Sequence, residues 1–192
     1  MRKSTKLLIT AATVGVLGSL AAFGVFASFT ATTQNAGNEL TAGTVSLSNN
    51  SAGQAMFNIA NADTGTTWTS CIKVTYTGGL PADVRIYLGG TPGPLAPYLT
   101  ETLDEGTTTG PDVFPACTTF VKASTLWTGT FAGVQHDYAS GWVASPGGVP
   151  GAWTTGSSTV YRVTVTLDEG APTSGQGQSS GNLTAYWEAH NQ

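Results

Sequence analysis

Apolar and polar residues alternate with a period of two along much of this chain, and no segment holds a period of 3.6. Alternation of this kind is typical of strands with one buried face. Glycine- and proline-rich turns separate the runs. The runs are Val45–Ser48, Phe57–Ile59, Trp68–Tyr76, Val84–Leu88, Tyr161–Leu167 and Leu183–Ala189. This pattern predicts an all-β chain folded as an antiparallel sandwich.

Two other regions are harder to interpret. Residues 122–141 are less regular, and a short helical turn is predicted around Thr130–Tyr138. The acidic groups Asp104-Glu105-Gly106 and Asp168-Glu169-Gly170 follow strand-like runs. They are interpreted as solvated turns, with calcium ligation as the alternative, because hard cations prefer oxygen ligands.

The first 27 residues have the organisation of a secretory signal peptide. Basic residues open the chain, and an uncharged run follows from Leu7 to Phe26. The small side chain of Ala27 suits a signal peptidase, so cleavage is predicted between Ala27 and Ser28, leaving 28–192 as one mature domain. The alternative is an uncleaved membrane anchor, since about 20 apolar residues can span a bilayer. Either way, the protein is expected to be secreted, extracellular or at the cell surface.

The predicted mature chain carries very few charges. Four basic residues remain beside eleven acidic ones, for a net charge of −7. This balance argues against nucleic acid as a partner, because phosphate binding needs clustered Lys and Arg. A surface with few charges also leaves strand edges poorly protected, so self-association is expected.

The mature chain has two cysteines, Cys71 and Cys117. In an exported protein an even count favours a disulfide, here between these two residues. Two free thiols and half of a metal site are the alternatives. Cys71 falls on the polar face of its predicted strand, so the disulfide should attach a loop to the outside of the sheet.

Residues that could carry chemistry are sparse. The histidines His136 and His190 belong to no His-Glu-x-x-His run, and the chain has no Gly-x-Ser-x-Gly motif. We therefore predict no catalytic residues, no metal site and no cofactor. Trp142 and Trp153 flank a Gly/Pro-rich loop, and if exposed they could form a surface module that binds glycan or protein.

The N-terminal region resembles the TasA/camelysin (CalY) family. The residues that carry the resemblance are Ala27-Ser28-Phe29-Thr30 and Gly37-Asn38-Glu39-Leu40-Thr41-Ala42-Gly43-Thr44-Val45-Ser46-Leu47. The C-terminal run Leu183–Ala189 is similar to the closing strand of that family. The resemblance implies a jelly-roll-like sandwich and processing by a dedicated signal peptidase.

The same resemblance implies a function. Members assemble into extracellular, biofilm-matrix or cell-surface fibres, in which the N-terminal strand of one subunit completes the sheet of the next. Carried over to this chain, the donor strand is 28–38, with Phe29, Ala31 and Thr33 on one face. The expected partners are other copies of the chain, an accessory matrix protein and the signal peptidase. The family also suggests a secreted metalloprotease as an alternative, although this chain lacks a zinc motif.

Overall fold

The computed structural model describes residues 43–59, 62–111, 114–175 and 177–192, and these residues form eight β-strands. The strands are β1 Leu47–Asn49, β2 Thr67–Tyr76, β3 Ala82–Pro92, β4 Leu99–Thr108, β5 Phe120–Thr130, β6 Trp142–Ala144, β7 Ser158–Leu167 and β8 Gly181–Asn191. Short 3-10 turns lie between several of them, and no helix in the described part of the chain is long and apolar enough to cross a membrane. The predicted signal peptide, the Ala27–Ser28 cleavage point and the donor residues Phe29, Ala31 and Thr33 lie outside the described residues.

The eight strands form two antiparallel sheets. The larger sheet has five strands in the order β1-β2-β7-β4-β5, and the smaller has three in the order β6-β3-β8. The chain passes repeatedly from one sheet to the other, so sequence neighbours such as β2 and β3 lie in different layers. The predicted all-β antiparallel sandwich is confirmed.

The core lies between the two sheets and is built from alternate residues of each strand. Ile72, Val74 and Tyr76 of β2 are buried, and Val84 and Ile86 of β3 are buried opposite them. Burying a large apolar side chain contributes about 1.5–3 kcal/mol, so each residue of this double row stabilises the fold. The period of two in these strands therefore indicated the correct buried faces.

Other strand predictions were wrong or incomplete. Phe57–Ile59 forms no strand, and the predicted run at Val45–Ser48 reduces to β1. Strand β5 was missed, because Leu126 and Ala123 lie at its register shifts and break the alternation. The helical turn predicted around Thr130–Tyr138 is a single 3-10 turn, Phe131–Gly133.

The interpretation of Asp104-Glu105-Gly106 as a solvated turn was wrong. These residues lie inside β4, and both acidic side chains are buried. Lys122 and Arg162 bind the Asp104 carboxylate at 2.8 and 2.7 Å, so its charge is compensated. Burial alone would raise the pKa of Asp104, but hydrogen bonds from Lys122, Thr125 and Arg162 outweigh it and hold the pKa below its ordinary value.

The second acidic group, Asp168-Glu169-Gly170, is an exposed turn, as predicted. Asp168 stabilises this turn by accepting a hydrogen bond from the Gly170 main-chain N–H at 2.7 Å. Such a bond is typical of Asp at the start of a turn.

Cys71 and Cys117 form the predicted disulfide, with a Cα–Cα distance of 5.2 Å. Cys71 lies on β2 next to the inward-facing Ile72, so its side chain is on the outer face of the sheet. The main-chain N–H of Cys71 also donates to the carbonyl of Pro115 at 2.9 Å. The loop that carries Cys117 is thus attached to the outside of the larger sheet.

Candidate self-association site

The two sheets are unequal, and the inequality leaves one side of the sandwich open. On one side β5 lies close to β6, where the rings of Trp127 and Trp142 pack with centroids 5.1 Å apart. On the other side β8 is the outermost strand of the smaller sheet, and β1 comes near it but pairs only with β2. Strand β1 has 3 residues and β8 has 11, so most of the β8 edge has no strand beside it.

The hydrogen bonds of β3 define which groups of β8 are unpaired. The main chains of Ala82 and Leu88 bond to Trp153 and Gln135, on the side of β3 away from β8. Even-numbered residues of β3 therefore point away from β8, and its odd-numbered residues bond to the even-numbered residues of β8. It follows that the main-chain groups of Leu183, Ala185, Trp187 and Ala189 point outward, and they have no main-chain partner in the described part of the chain.

This edge lacks the usual protection against strand addition. The pairing of β8 with β3 is continuous from Pro92–Gly181 to Ala82–Asn191, with no register shift. The strand contains no Lys, Arg or Pro. Its carboxylate, Glu188, is held on the outer face, where it accepts hydrogen bonds from the Tyr87 hydroxyl at 2.6 Å and interacts with His190 at 2.7 Å. A long, regular, nearly uncharged edge is a template for another strand.

Strand β5, the long edge of the larger sheet, is built differently. Its pairing with β4 shifts register twice, between Leu103 and Asp104 and between Glu105 and Gly106. Bulges of this kind twist an edge and interrupt its row of hydrogen-bonding groups. Lys122 adds a positive charge to the strand. Two edges of 11 residues each thus differ sharply in how well they could accept a strand.

A cleft of about 830 Å³ with both apolar and polar walls lies at the end of the sandwich where β8 begins. Phe57, Ile59, Trp68 and Val165 contribute apolar walls, and Ser179 and Ser180, which immediately precede β8, border it. Trp68 and Val165 belong to the inner face of the larger sheet, which the smaller sheet does not fully cover here. The cleft is large enough to take one or more side chains from an added segment.

Buried polar groups lie behind the open edge. The Tyr161 hydroxyl interacts with the side chains of Trp187 and Thr159, and the rings of Tyr161 and Trp187 lie 5.6 Å apart. The Ser70 hydroxyl on β2 is buried with no hydrogen-bond partner among the described residues. Burial raises the pKa of the Tyr161 hydroxyl, which therefore stays protonated. Unsatisfied buried groups are rare in native proteins and call for a partner or a role.

On the outer face of the smaller sheet, side chains of β3 and of the loop before β6 contact β8. The rings of Tyr87 and Tyr186 stack with centroids 5.2 Å apart, and those of Tyr138 and His190 stack at 3.7 Å. The hydrogen bond to Glu188, together with burial, raises the pKa of Tyr87 to about 12. The same bond, with that of His190, lowers the pKa of Glu188. These contacts fix β8 firmly to β3 and leave its other edge free.

Glu101 is the most unusual acid in the structure. It lies on β4 between the core residues Leu99 and Leu103 and is 5% exposed. Its Oε2 atom has no hydrogen-bond partner among the described residues, and burial raises its pKa to about 7. No positive charge contributes to that pKa, so the group is a buried acid in an apolar setting rather than half of an ion pair.

In the described chain, both histidines considered for metal binding contact other groups of the protein. His136 places Nδ1 2.8 Å from the carbonyl oxygen of Leu88, and His190 contacts Glu188 and Tyr138. No group of three or more His, Cys, Asp or Glu in the described residues is arranged to hold a metal ion.

The proposed exposed pair of tryptophans was wrong. Trp153 is fully buried, and its indole N–H donates to the carbonyl of Ala144 at 2.9 Å. Trp142 is half-buried against Trp127. The ring of Trp153 therefore presents no face to a glycan, because a core site between the strands offered more buried area than the loop surface did.

The open edge of β8 could not be identified from sequence. The run Leu183–Ala189 was predicted as a strand, but its place at the end of a sheet depends on pairing with β3, which is distant in the sequence. The absence of Lys, Arg and Pro in this run was the available signal. Compared with known proteins, the chain matches no protein-family model and no curated protein.

Proposed function

We propose that this protein is an exported structural protein that assembles into extracellular fibres, in a biofilm matrix or at the cell surface, by strand addition between copies. The open edge of β8 carries this proposal: four residues with outward main-chain groups and no strand partner in the described chain. The low charge of the chain supports it, because few like charges oppose close packing of copies.

The Cys71–Cys117 disulfide fits the proposed location outside the cytoplasm. Disulfides persist in oxidising compartments and are rare elsewhere. Here the disulfide ties a loop to the outer face of the larger sheet, whereas the open edge belongs to the smaller sheet. The disulfide would help each subunit to keep its fold while the edge of β8 binds a neighbour.

The donor in this proposal is the segment 28–38, whose alternate residues Phe29, Ala31 and Thr33 share one face of an extended chain. The resemblance to the TasA/camelysin family motivates this choice. Cleavage after Ala27 would place the donor at the new N-terminus, so processing by a signal peptidase would license assembly. An accessory matrix protein could start the fibre.

Electron microscopy of the mature protein, 28–192, tests the proposal. We expect fibres to grow over time from the mature protein. A variant in which 28–38 is replaced by a Gly/Ser sequence of equal length should remain a folded monomer. The matched control keeps 28–38 and replaces the exposed loop residue Val149 with Ser. Fibres from the replaced variant, or none from the mature protein, would contradict the proposal.

A further inference from the structure

We infer that Tyr87 and Tyr186 form a site of oxidative modification, at which a peroxidase acting with hydrogen peroxide joins the two rings as dityrosine. The pair lies on the outer face of the smaller sheet, where Tyr87 of β3 is directly opposite Tyr186 of β8. The rings stack with centroids 5.2 Å apart and planes inclined by 14°. The modification needs only one copy of the chain, so it does not depend on fibre assembly.

The two rings are close enough for a carbon–carbon bond to form between them. Aromatic carbons in contact are about 3.5–4.0 Å apart, so nearly parallel rings with centroids 5.2 Å apart overlap at their edges. Dityrosine forms at the ring carbons next to the hydroxyl group, which are the Cε positions. A shift of one ring within its own plane would bring two such carbons together.

Gly89 leaves the space in which the Tyr186 ring lies. A Cβ atom at Gly89 would be 2.6 Å from Cε2 of Tyr186, one of the carbons that could form the bond. Gly89 follows Tyr87 by two residues on β3, so the Tyr186 ring lies close to β3 beside the Tyr87 ring. Tyr186 is also 45% exposed, and an oxidant can therefore reach it.

Glu188 is placed to take the proton that Tyr87 must lose. The Tyr87 hydroxyl donates a hydrogen bond to Oε2 of Glu188 at 2.6 Å. Removal of an electron makes a phenol strongly acidic, so its proton moves to a hydrogen-bonded carboxylate as the electron leaves. The pKa of Glu188 is lowered, which keeps this carboxylate ionised and ready to accept the proton. Its side chain is 40% exposed, so it can pass the proton on to water.

Two one-electron oxidations form the link. Tyr87 loses an electron to the peroxidase and its proton to Glu188, while Tyr186 loses an electron to the peroxidase and its proton to water. The two radicals combine at their Cε carbons, and the hydrogen on each of these carbons then moves to the neighbouring oxygen, which restores both phenols. Hydrogen peroxide takes up the two electrons and two protons and becomes two molecules of water.

Other oxidisable groups compete poorly with this pair. Thiols are readily oxidised, but the described chain has no free cysteine. Tyr138 stacks on His190 rather than on another tyrosine, and Tyr161 is fully buried. A bond between Tyr87 and Tyr186 would join β3 covalently to β8, the outermost strand of the smaller sheet.

Oxidation of the mature protein, 28–192, with a haem peroxidase and one molar equivalent of hydrogen peroxide tests the inference. We expect dityrosine fluorescence, a single-chain band on a denaturing gel, and a crosslinked peptide that contains both tyrosines and has lost two hydrogen atoms. Tyr186→Phe should abolish the fluorescence. Tyr138→Phe is the matched control, because Tyr138 is half-buried on the same face but stacks on His190, and it should keep the wild-type yield.

Two further variants keep both tyrosines and test the geometry. Gly89→Ala adds a methyl group where the Tyr186 ring lies, so it should displace the ring and lower the yield severalfold. Glu188→Gln should slow the reaction by about tenfold or more, because an amide is a poor proton acceptor. Its final yield should match that of the wild type, since the two rings remain stacked, whereas a merely structural role for Glu188 would lower both rate and yield.

Three outcomes would overturn the inference: no dityrosine in the wild type, an undiminished yield in Tyr186→Phe, or crosslinks found only between chains. A wild-type yield in Gly89→Ala would show that the stacked geometry does not direct the coupling, which also contradicts it. None of these results bears on the proposed function, because fibre growth is followed without an oxidant.

Discussion

Glu101 of β4 lies directly across from Val165 of β7, so a carboxyl group and an apolar side chain are neighbours on the inner face of the larger sheet. On its other side Glu101 pairs with Gly129, which has no side chain to offer it a hydrogen bond. The group therefore enters the folded state most easily as a neutral acid.

We expect the stability of the protein to fall as the pH rises from about 4.5 to about 7. The folded pKa of Glu101, about 7, lies above its ordinary value of 4.5. As the pH rises, the Glu101 carboxyl group therefore ionises in the unfolded chain before it ionises in the folded one, and this stabilises the unfolded state. The contribution is fully present below pH 4.5 and lost through this window, for a total of about 3 kcal/mol. Urea unfolding of wild type and Glu101→Gln across this range measures it.

Glu101→Gln should remove that slope, because an amide does not ionise. Glu169→Gln, at an exposed turn, is the matched control and should leave the pH profile as in wild type. An unchanged slope in Glu101→Gln would mean that another group causes the pH dependence.

Asp104→Asn should destabilise the fold by about 1–3 kcal/mol at neutral pH, since it removes the charge that Arg162 and Lys122 bind. Because the pKa of Asp104 is lowered, its contribution is present above pH 3.8 and is lost as the pH falls further. Wild type and variant should therefore converge in strong acid. Chemical unfolding at pH 7 and pH 2.5 checks both statements, and a constant difference would contradict the ion-pair account.

Reduction of the Cys71–Cys117 disulfide should lower the free energy of unfolding by about 4 kcal/mol, because the bond closes a loop with a sequence separation of 46. Thermal melts with and without a reducing agent measure the effect. A double variant with both cysteines replaced by Ser should have the melting temperature of the reduced protein, whether or not the reducing agent is present. Equal melting temperatures for oxidised and reduced wild type would show that the loop is held without the bond.

Trp153→Ala should lower the free energy of unfolding by about 3–5 kcal/mol, because it leaves a cavity at a fully buried site and removes the hydrogen-bond donor of the Ala144 carbonyl. Val149→Ala, in the same loop and 67% exposed, should change stability by less than about 0.5 kcal/mol. Calorimetry of both variants checks this contrast. A mild effect at Trp153 would indicate that the indole is on the surface.

Local alternation was enough to find the strands that face the core regularly. In β2, β3, β7 and β8 the inward-facing apolar residues recur mostly at every second position, because one face is buried and the other is not. Strand β4 was not predicted because Glu101 and Glu105 occupy inward positions where apolar residues are expected. Strand β5 was not predicted because its register shifts break the alternation of apolar and polar residues.

The candidate site depended on long-range pairing and was therefore hidden from the sequence. Whether Leu183 and Trp187 lie in a central or an outer strand depends on which strands bond to β3, and those partners are brought together only by folding. The disulfide was predictable because it needed only two cysteines and an oxidising compartment. Trp153 was misplaced because a Gly/Pro-rich neighbourhood suggested a surface loop.

The register shifts of β5 bear on the shape of any assembly. With β5 unsuited to pairing, each subunit would have a single accepting side, at β8, and a single extending arm. Contacts between unlike surfaces do not close on themselves unless the rotation between subunits allows it. The resulting fibre would be unbranched and directional. An unpaired β8 edge would be exposed at one end and an unpaired 28–38 segment at the other, so the two ends would grow at different rates.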